Sequence, residues 1–471
     1  MRKGLLLILG SACLLAAPAG AQTRVPETVP TWNKDVAPIV FANCIACHRP
    51  GEVAPMSLMK YPDARPWAKG MKAKVLSHEM PPWFADPRYG KFQNTRGLTQ
   101  AQIATLVAWA DAGAPQGTGP APVAPDLGDT QAGALAGFMS RPPDAIVEQP
   151  VEIEIPAVGV LPFLNLWDKS PFAEDKYVAA AELRPSNRAV THHSNVAIMP
   201  LPKGAHHIGV GEAWPGGQVV NAIPVQEDGS PVLKGPQAEP EEATANTDTF
   251  NFATRLLFYA PGTATLSYKP GLVKTIQRDR YLMWDIHYNA TGRPEKDRHT
   301  VRLWFSQVPP THEIKSGTAN DNNLYEGQEL IGQGVQRPNI PAYAGNYRVS
   351  SLKVMTSDST LNSLWPHMHL RGKDMTYTVT YPDGREEILL SVPKYSFEWQ
   401  IAYVFDEAIK LPAGSILRVT AHYDNSAKNK FNPAPDQELP WGSQSWHEMY
   451  FPYFDIAIDK NVLKPATTGT N

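Results

Sequence analysis

One short motif restricts this chain more than any other feature. The stretch "FANCIACHRPGEVAP", residues 41–55, contains Cys44, Cys47 and His48 in the pattern C-x-x-C-H, and the only other cysteine among 471 residues is Cys13. This pattern is typical of covalent haem c attachment, in which both thiols form thioethers to the porphyrin and the histidine ligates the iron. The motif therefore predicts one covalent haem c. The alternative is a thioredoxin-like redox disulfide between the same two cysteines.

The first 21 residues, 1–21, have the pattern of a secretory signal peptide. Arg2 and Lys3 precede the apolar run "GLLLILGSACLLAA", and Ala19-Gly20-Ala21 is a small-x-small cleavage site. Later apolar runs are shorter than the ~18 residues that a membrane helix needs. The net charge is −3 and no basic run occurs, which argues against a nucleic-acid partner. We expect a periplasmic or secreted protein with no membrane span.

Residues 22–118 have helical patterns on both sides of the C-x-x-C-H motif and resemble a small all-α cytochrome c domain. We expect helices in "NKDVAPIVFANCIACH", "DARPWAKGMKAKVLSHEMPPW" and "LTQAQIATLVAWADAGAP". In the last of these, Thr99 and Gln102 form a capping box, and Gly113 suits the C-terminal stop. Four apolar positions fall on one face of that helix: Ile103, Leu106, Val107 and Ala110.

A haem of this kind needs a sixth iron ligand. Met80, in "HEMPPW", is the predicted ligand, because cytochromes c commonly carry this methionine just before a proline. A thioether ligand raises the haem potential. Other candidates within the same region remain open: Met56, Met59, Met71 and His78.

The character of the chain changes after residue 118. Residues 119–147 are rich in Pro, Gly and Ala and predict a linker, which would hold the haem region at an effective concentration on the order of millimolar. Segments beyond it, such as "YRVSSLKVMT", "MTYTVTYP" and "SILRVTAHY", are alternating or β-branched, which predicts all-β sandwich structure. The acidic stretch 225–249 is expected to be a surface insertion.

Several histidines occur in pairs with metal-ligand spacing. On a strand, His367 and His369 would point to one face and clamp one metal. The adjacent pair His192-His193 would reach one metal only at a bulge, a bend or a strand end. Histidines with a methionine, such as Met449 in "SWHEMYFPY", select copper. The alternative is that such histidines are hydrogen-bonded core or surface residues, which we expect of His78, His299, His312, His422 and His447.

Four separated segments, in order, resemble the two-domain copper monooxygenases typified by peptidylglycine α-hydroxylating monooxygenase and dopamine β-monooxygenase. They are "VTHHSNVAIMP", "LMWDIHYNATGRPEKDRHTVRLWF", "LWPHMHLRGKDMTYTVTYPDGREEILL" and "WGSQSWHEMYFPYFDI". The resemblance covers about residues 150–460 and is greatest to a bacterial branch with a cytochrome c domain fused in front. By spacing alone, the pair His206-His207 ranks equal to His192-His193.

The resemblance implies two jelly-roll-like β-sandwiches, at 148–315 and 316–471, with one copper in each and a solvent-filled cleft between the two. It implies hydroxylation of a C–H bond with O2, using two electrons supplied from outside. The tethered haem region predicts that these electrons pass from haem to the first copper and on to the second; the alternative is that this region is only a docking or redox-sensing module. An external donor would reduce the haem. The two implied copper ligand sets are His192, His193 and His287, and then His367, His369 and Met449.

Three positions depart from the peptide-hydroxylating members of that family. Trp365 and Phe451 stand where those enzymes have an Arg and an Asn that hold the substrate, whereas Tyr453 is retained and is a candidate catalytic residue. Asp285 replaces a Gln near His287. These differences favour an apolar or aromatic small molecule as substrate over a peptide. Two other functions remain open: a haem/copper electron-transfer or copper-binding protein without hydroxylase turnover, and an oxidase or peroxidase acting at the haem.

Overall fold

The computed structural model describes residues 28–125, 141–159, 161, 164–200, 254–260, 265–319, 322–325, 338–442 and 445–459. The helices of these ranges all precede the first strand. They are a π-helical turn Trp32–Val36, α1 Ala37–Asn43, α2 Tyr61–Ala64, a 3-10 turn Arg65–Trp67, α3 Ala68–Leu76 and α4 Gln100–Asp111. The predicted signal peptide and the acidic stretch 225–249 lie outside the described residues.

Helix α4 has the capping box that its sequence predicts. The Thr99 hydroxyl accepts a hydrogen bond from the Gln102 backbone N–H, and the Gln102 side chain accepts one from the Thr99 N–H. Gly113 follows the helix with a positive φ of 83°, which supports its role in the stop. The buried face consists of Ile103, Leu106 and Trp109, whereas the predicted Val107 and Ala110 are only partly buried.

Twenty strands make the rest of the described structure mostly β-sheet. Those that precede residue 310 are β1 Ala145–Glu148, β2 Ile153–Ile155, β3 Leu164–Lys169, β4 Lys176–Pro185, β5 Thr191–Met199, β6 Thr254–Tyr259, β7 Thr265–Ser267, β8 Leu272–Ile276, β9 Tyr281–Tyr288, β10 Glu295–Asp297 and β11 His299–Phe305. Those that follow are β12 His312–Thr318, β13 Asn322–Tyr325, β14 Tyr347–Val354, β15 Ser359–His367, β16 Gly372–Thr380, β17 Glu386–Val392, β18 Tyr403–Leu411, β19 Ile416–Tyr423 and β20 Phe451–Asp459.

Paired sheets enclose two hydrophobic cores. In the first half, the four-stranded sheet β3-β9-β5-β6 shares a core with β1, β4, β8 and β11 of a nine-stranded sheet. In the second half, the five-stranded sheet β13-β14-β19-β16-β17 shares a core with β15, β18 and β20. Each half therefore buries apolar side chains between two sheets, as a β-sandwich does.

The nine-stranded sheet runs through both halves. Its order is β1-β11-β4-β8-β12-β20-β15-β18, and the parallel pair β8–β12 joins the two parts. The boundary predicted between residues 315 and 316 falls inside β12. The two halves are thus hydrogen-bonded to each other along one sheet.

The N-terminal region is also packed onto the second half. Phe92 contacts Tyr403 and Phe405 with ring-centroid distances of 5.5 and 5.1 Å. The Gln93 N–H donates to the Val404 carbonyl at 2.9 Å, and the Asn94 side chain donates to the Ala402 carbonyl at 2.6 Å. This segment extends the core and the edge strand β18 of the second half.

We expect Phe92→Ala to lower the free energy of unfolding by about 3–5 kcal/mol, because truncating a buried Phe removes apolar contacts and leaves a cavity. Phe92 is 7% exposed. Phe431→Ala is the matched control: Phe431 is 50% exposed, and its truncation should change stability by no more than about 0.5 kcal/mol. Urea denaturation of both variants measures this. Equal, small losses would contradict the docked position of the segment.

Candidate functional site

Three histidines converge where β5 pairs with β9. His193 lies directly opposite His287 in the register of these antiparallel strands. The register shifts between Thr191 and His193, so His192 occupies an irregularity of the strand of the kind that the adjacent pair was expected to need. One ring nitrogen from each histidine lies within 4.8 Å of those of the other two. This spacing allows one metal ion to bind all three rings.

Burial keeps these three rings uncharged. It lowers the pKa of His192 to about 4 and that of His287 to about 3, and it lowers the pKa of His193 well below the usual value. Neutral imidazole has a lone pair for a metal, whereas imidazolium has none. The buried Nδ1 of His192 has no hydrogen-bond partner among the described residues. Since a buried polar atom normally has a partner, this nitrogen fits a metal ligand.

His367 and His369 form the second group. His367 is the last residue of β15, and the two ring centroids are 5.3 Å apart. The Nδ1 of His367 lies 2.6 Å from the Gln400 side-chain oxygen, and the Nδ1 of His369 lies 3.3 Å from the His447 carbonyl. Because carbonyl oxygens only accept, both Nδ1 atoms carry the hydrogen, and each Nε2 has the lone pair that a metal needs.

Glu448 connects Met449 to this second group. One oxygen of its buried carboxylate accepts hydrogen bonds from the backbone N–H of His369 at 2.9 Å and of Met449 at 3.2 Å. The other oxygen accepts from the Arg371 N–H at 2.6 Å. Burial raises the pKa of Glu448 to about 7, against the opposing charge of Arg371. The sequence analysis assigned no role to Glu448. Its position next to Met449 in the chain was the feature that could have identified it.

The Phe397 ring lies between the two histidine groups. Its centroid is 5.2 Å from that of His192 and 5.7 Å from that of His369. The same loop is anchored by the Tyr395 hydroxyl, which donates to the Met368 carbonyl at 2.6 Å. The resemblance implied a solvent-filled cleft between the two sites, whereas here an apolar ring contacts a histidine of each.

Aromatic residues surround the second group. Trp365 stacks on Tyr453 at 5.1 Å and also contacts His367 at 6.1 Å between ring centroids. The Arg255 guanidinium lies over Tyr453 at 3.7 Å and over Trp365 at 4.0 Å. Tyr450 is not one of these surrounding residues. Its buried hydroxyl donates to the Val419 carbonyl at 3.0 Å in the core of the second half.

A cavity of about 1050 Å³ lies between the N-terminal region and the β-sheet halves. Cys44, Cys47 and His48 line one side, and Trp365 and Tyr453 line another. Among the methionines considered as the sixth iron ligand, three contribute to its wall: Met56, Met71 and Met80. In the part of the chain that the structure describes, Met59 and His78 are not in this wall.

The C-x-x-C-H motif lacks the lowered thiol pKa of a redox-active cysteine pair. Cys44 follows the C-terminal end of α1, and burial raises the pKa of its thiol to about 12. Redox-active thiols instead have a lowered pKa, as at the N-terminus of a helix. The His48 Nδ1 lies 3.3 Å from the Met56 carbonyl and donates to it, so Nε2 has the lone pair for iron.

His422, on β19, lies apart from these groups. The Nδ1 of His422 is 2.7 Å from the Asp374 carboxylate. His206 and His207 lie outside the described residues. Within the ranges that the structure describes, no helix is both long enough and apolar enough to cross a bilayer.

No protein-family model and no curated protein matches this chain. Among solved structures, PNGF-II aligns with a TM-score of 0.20 and 9% identity over 67% of this chain and 60% of that chain. The chain therefore spans less than two thirds of PNGF-II. The VP2 subviral particle of infectious bursal disease virus aligns with a TM-score of 0.16 and 10% identity over 69% of this chain and 76% of the other. Alignments this weak carry no conclusion about fold or function.

Proposed function

We propose that this protein is an exported copper-dependent monooxygenase that hydroxylates a C–H bond with O2 and draws electrons from a covalent haem c. The observation that carries the proposal is the placement of two groups of buried histidines on either side of one ring, next to a cavity that contains the C-x-x-C-H motif. The finer architecture proposed is an N-terminal cytochrome c domain followed by two jelly-roll-like sandwiches.

The first copper would be held by His192, His193 and His287. Three neutral imidazoles accept both oxidation states of copper, which suits an ion that passes electrons without binding substrate. The second copper would be held by His367, His369 and Met449. The thioether favours Cu(I), the form that reacts with O2.

The haem would be attached through Cys44 and Cys47, and His48 and Met80 would be the protein ligands of its iron. The cavity size, the orientation of His48 and the position of Met80 in the wall support this assignment. When bound, the haem supplies single electrons and the coppers supply oxygen activation. Burial of His193, His287, His367 and His369 would keep these ligands neutral and limit the access of water.

The substrate would be a small apolar or aromatic molecule. Trp365 and Tyr453 give the wall near the second group an aromatic surface, and Phe258 extends it with a centroid 4.1 Å from that of Trp365. Arg255, which lies across Trp365 and Tyr453, would hold these two rings in place. An apolar substrate would gain from displacing water at such a surface.

One observation favours a second candidate function. Phe397 takes up space between the two histidine groups, where a substrate would otherwise approach both. An electron-transfer or copper-binding protein without hydroxylase turnover would need no such space. Oxygen consumption that is coupled to a hydroxylated product separates the two functions.

Metal and mass analysis tests the cofactor assignment. We expect one haem adduct on the denatured chain and two coppers per chain, in protein matured in a host that attaches c-type haem. A chain without the haem adduct, or one that takes up zinc and no copper, would contradict the proposal.

Met80→Ala should abolish the methionine-ligated low-spin spectrum of the haem, because the thioether is the proposed sixth ligand. Met59→Ala is the control, since Met59 is not in the described wall of the cavity and its loss should leave the spectrum unchanged. Optical spectra of the oxidised and reduced proteins measure this. If Met80→Ala keeps the spectrum and Met71→Ala loses it, Met71 is the ligand.

A further inference from the structure

A buried hydrogen-bonded pair, Asp297 and His299, contacts the strand that carries two of the three histidines. His299, the first residue of β11, places its Nε2 2.7 Å from Oδ2 of Asp297, the last residue of β10. Both side chains are 0% exposed. An ionised carboxylate can only accept hydrogen bonds, so the Nε2 of His299 donates to it. Sequence reasoning treated His299 as a structural or surface residue.

The pair contacts Thr191 and Ser194, the two residues that flank His192 and His193 in the chain. The hydroxyl of Thr191, which precedes His192, lies 3.1 Å from Oδ2 of Asp297. The hydroxyl of Ser194, which follows His193, lies 3.1 Å from Nδ1 of His299. The segment that carries two of the three histidines is therefore held on each side by one member of this hydrogen-bonded pair.

The same carboxylate also holds the turn before β5. Its Oδ1 accepts hydrogen bonds from the Ser186 hydroxyl and the Asn187 backbone N–H, both at 2.8 Å. Burial alone would raise the pKa of Asp297, but His299 and these donors lower it below the usual value. His299 is a third donor to the carboxylate, and the Thr191 hydroxyl shares its single hydrogen between Oδ2 of Asp297 and the Asn187 carbonyl, each 3.1 Å away. A fully satisfied buried network of this kind is rigid.

Rigidity matters here because the strand is irregular at this point. A bulge leaves one residue outside the regular pairing, and a shift of one residue turns each side chain to the other face of the sheet. Such a shift would turn His193 away from His287. The backbone pairing that normally prevents it is interrupted between Thr191 and His193.

We propose that Asp297 and His299 are positioning residues that fix the irregularity at His192, so that both adjacent histidines face one metal ion. The proposal rests on the proposed function only in that the three-histidine group binds a metal. Asp297 and His299 would act through their hydrogen bonds to Thr191 and Ser194 and would not be metal ligands.

The test is a Cu²⁺ titration of the haem-containing, copper-depleted protein, with chelator competition for affinity and electron paramagnetic resonance for the geometry of each site. Thr191→Val with Ser194→Ala removes both contacts to the histidine segment and leaves the Asp297–His299 hydrogen bond in place. We expect the affinity of the three-histidine site to fall about 10–100-fold, the range for lost outer-shell contacts of metal ligands, and its resonance to change. The His367/His369 site is the internal control and should keep its affinity.

Ser186→Ala is the matched variant, since it removes a donor to the same carboxylate without touching the histidine segment. It should leave both affinities within about twofold, well below the range for lost outer-shell contacts. Asp297→Asn, which keeps the side-chain shape, should weaken the same site as the double variant does. If the double variant fails to fold, Ser194→Ala alone should still weaken that site.

Two results would overturn the proposal. Wild-type affinity at both sites, together with a lowered melting temperature, would make the Asp297–His299 pair purely structural. An equal loss at both sites would show a global effect. If the wild-type protein binds no copper, the proposed function is wrong. That outcome differs from one in which the wild-type protein binds copper and only the variants depart from the expected affinities.

Discussion

His192→Ala is expected to reduce the copper content from two ions per chain to about one and to slow haem reoxidation sharply. Loss of one of three ligands should lower the copper affinity of this site by more than the about 10–100-fold that is typical of a lost outer-shell contact. The buried, neutral rings of His193 and His287 offer too few ligands to hold copper alone. Rapid mixing of the reduced, copper-loaded protein with O2 and substrate measures haem reoxidation directly.

The control for this experiment is His422→Ala. His422 is half-buried, bonds to Asp374 and belongs to neither histidine group. It should keep both coppers and the wild-type rate, and haem attachment should be intact in both variants. If haem stays reduced while product accumulates, the haem and the coppers do not lie on one electron path.

Met449→His is expected to retain copper and lose most oxygen-dependent turnover. The harder imidazole nitrogen replaces the soft thioether and stabilises Cu(II), so the reduced site that reacts with O2 becomes harder to reach. Metal analysis and oxygen consumption measure the two effects separately. The expected pattern is an unchanged copper content, a lowered reduction potential and little oxygen uptake. Full activity in this variant would remove Met449 from the oxygen site.

The structure changes the expected relation between the N-terminal region and the two histidine groups. The sequence of 119–147 predicted a tether, of which residues 126–140 lie outside the described ranges. The described residues show direct contacts between the two parts. Glu52, close to the C-x-x-C-H motif, pairs with Arg188 in the turn before β5, and the Glu52 side chain is 3% exposed. Together with the Phe92 contacts, this ion pair holds the haem region against both halves.

The parts of the fold that follow local rules were predictable from sequence. The capping box of Thr99 and Gln102 and the stop at Gly113 depend on residues close in the chain, and they occur as expected. The irregularity at His192 was predictable because two adjacent side chains on a regular strand point to opposite faces. The convergence with His287 followed from the resemblance and not from spacing.

The rest depends on contacts between distant segments, which leave no periodic signal in the sequence. Phe397 lies in a loop, and no pattern places its ring between two histidine groups. Phe92 lies within the predicted cytochrome c domain, but its ring packs against Tyr403, more than 300 positions later in the chain. The pairing of β8 with β12, which joins the two halves in one sheet, is also non-local, because it brings His312 opposite Leu272.

The most direct test of the central claim is isotope labelling. The purified, copper-loaded protein with attached haem is supplied with an electron donor and ¹⁸O2, and a panel of small apolar and aromatic compounds is screened by mass spectrometry. The account predicts a hydroxylated product that carries one ¹⁸O atom, and its loss in Met449→His. Oxygen uptake and haem turnover with no labelled product from any compound of the panel would contradict a monooxygenase and favour an electron-transfer protein.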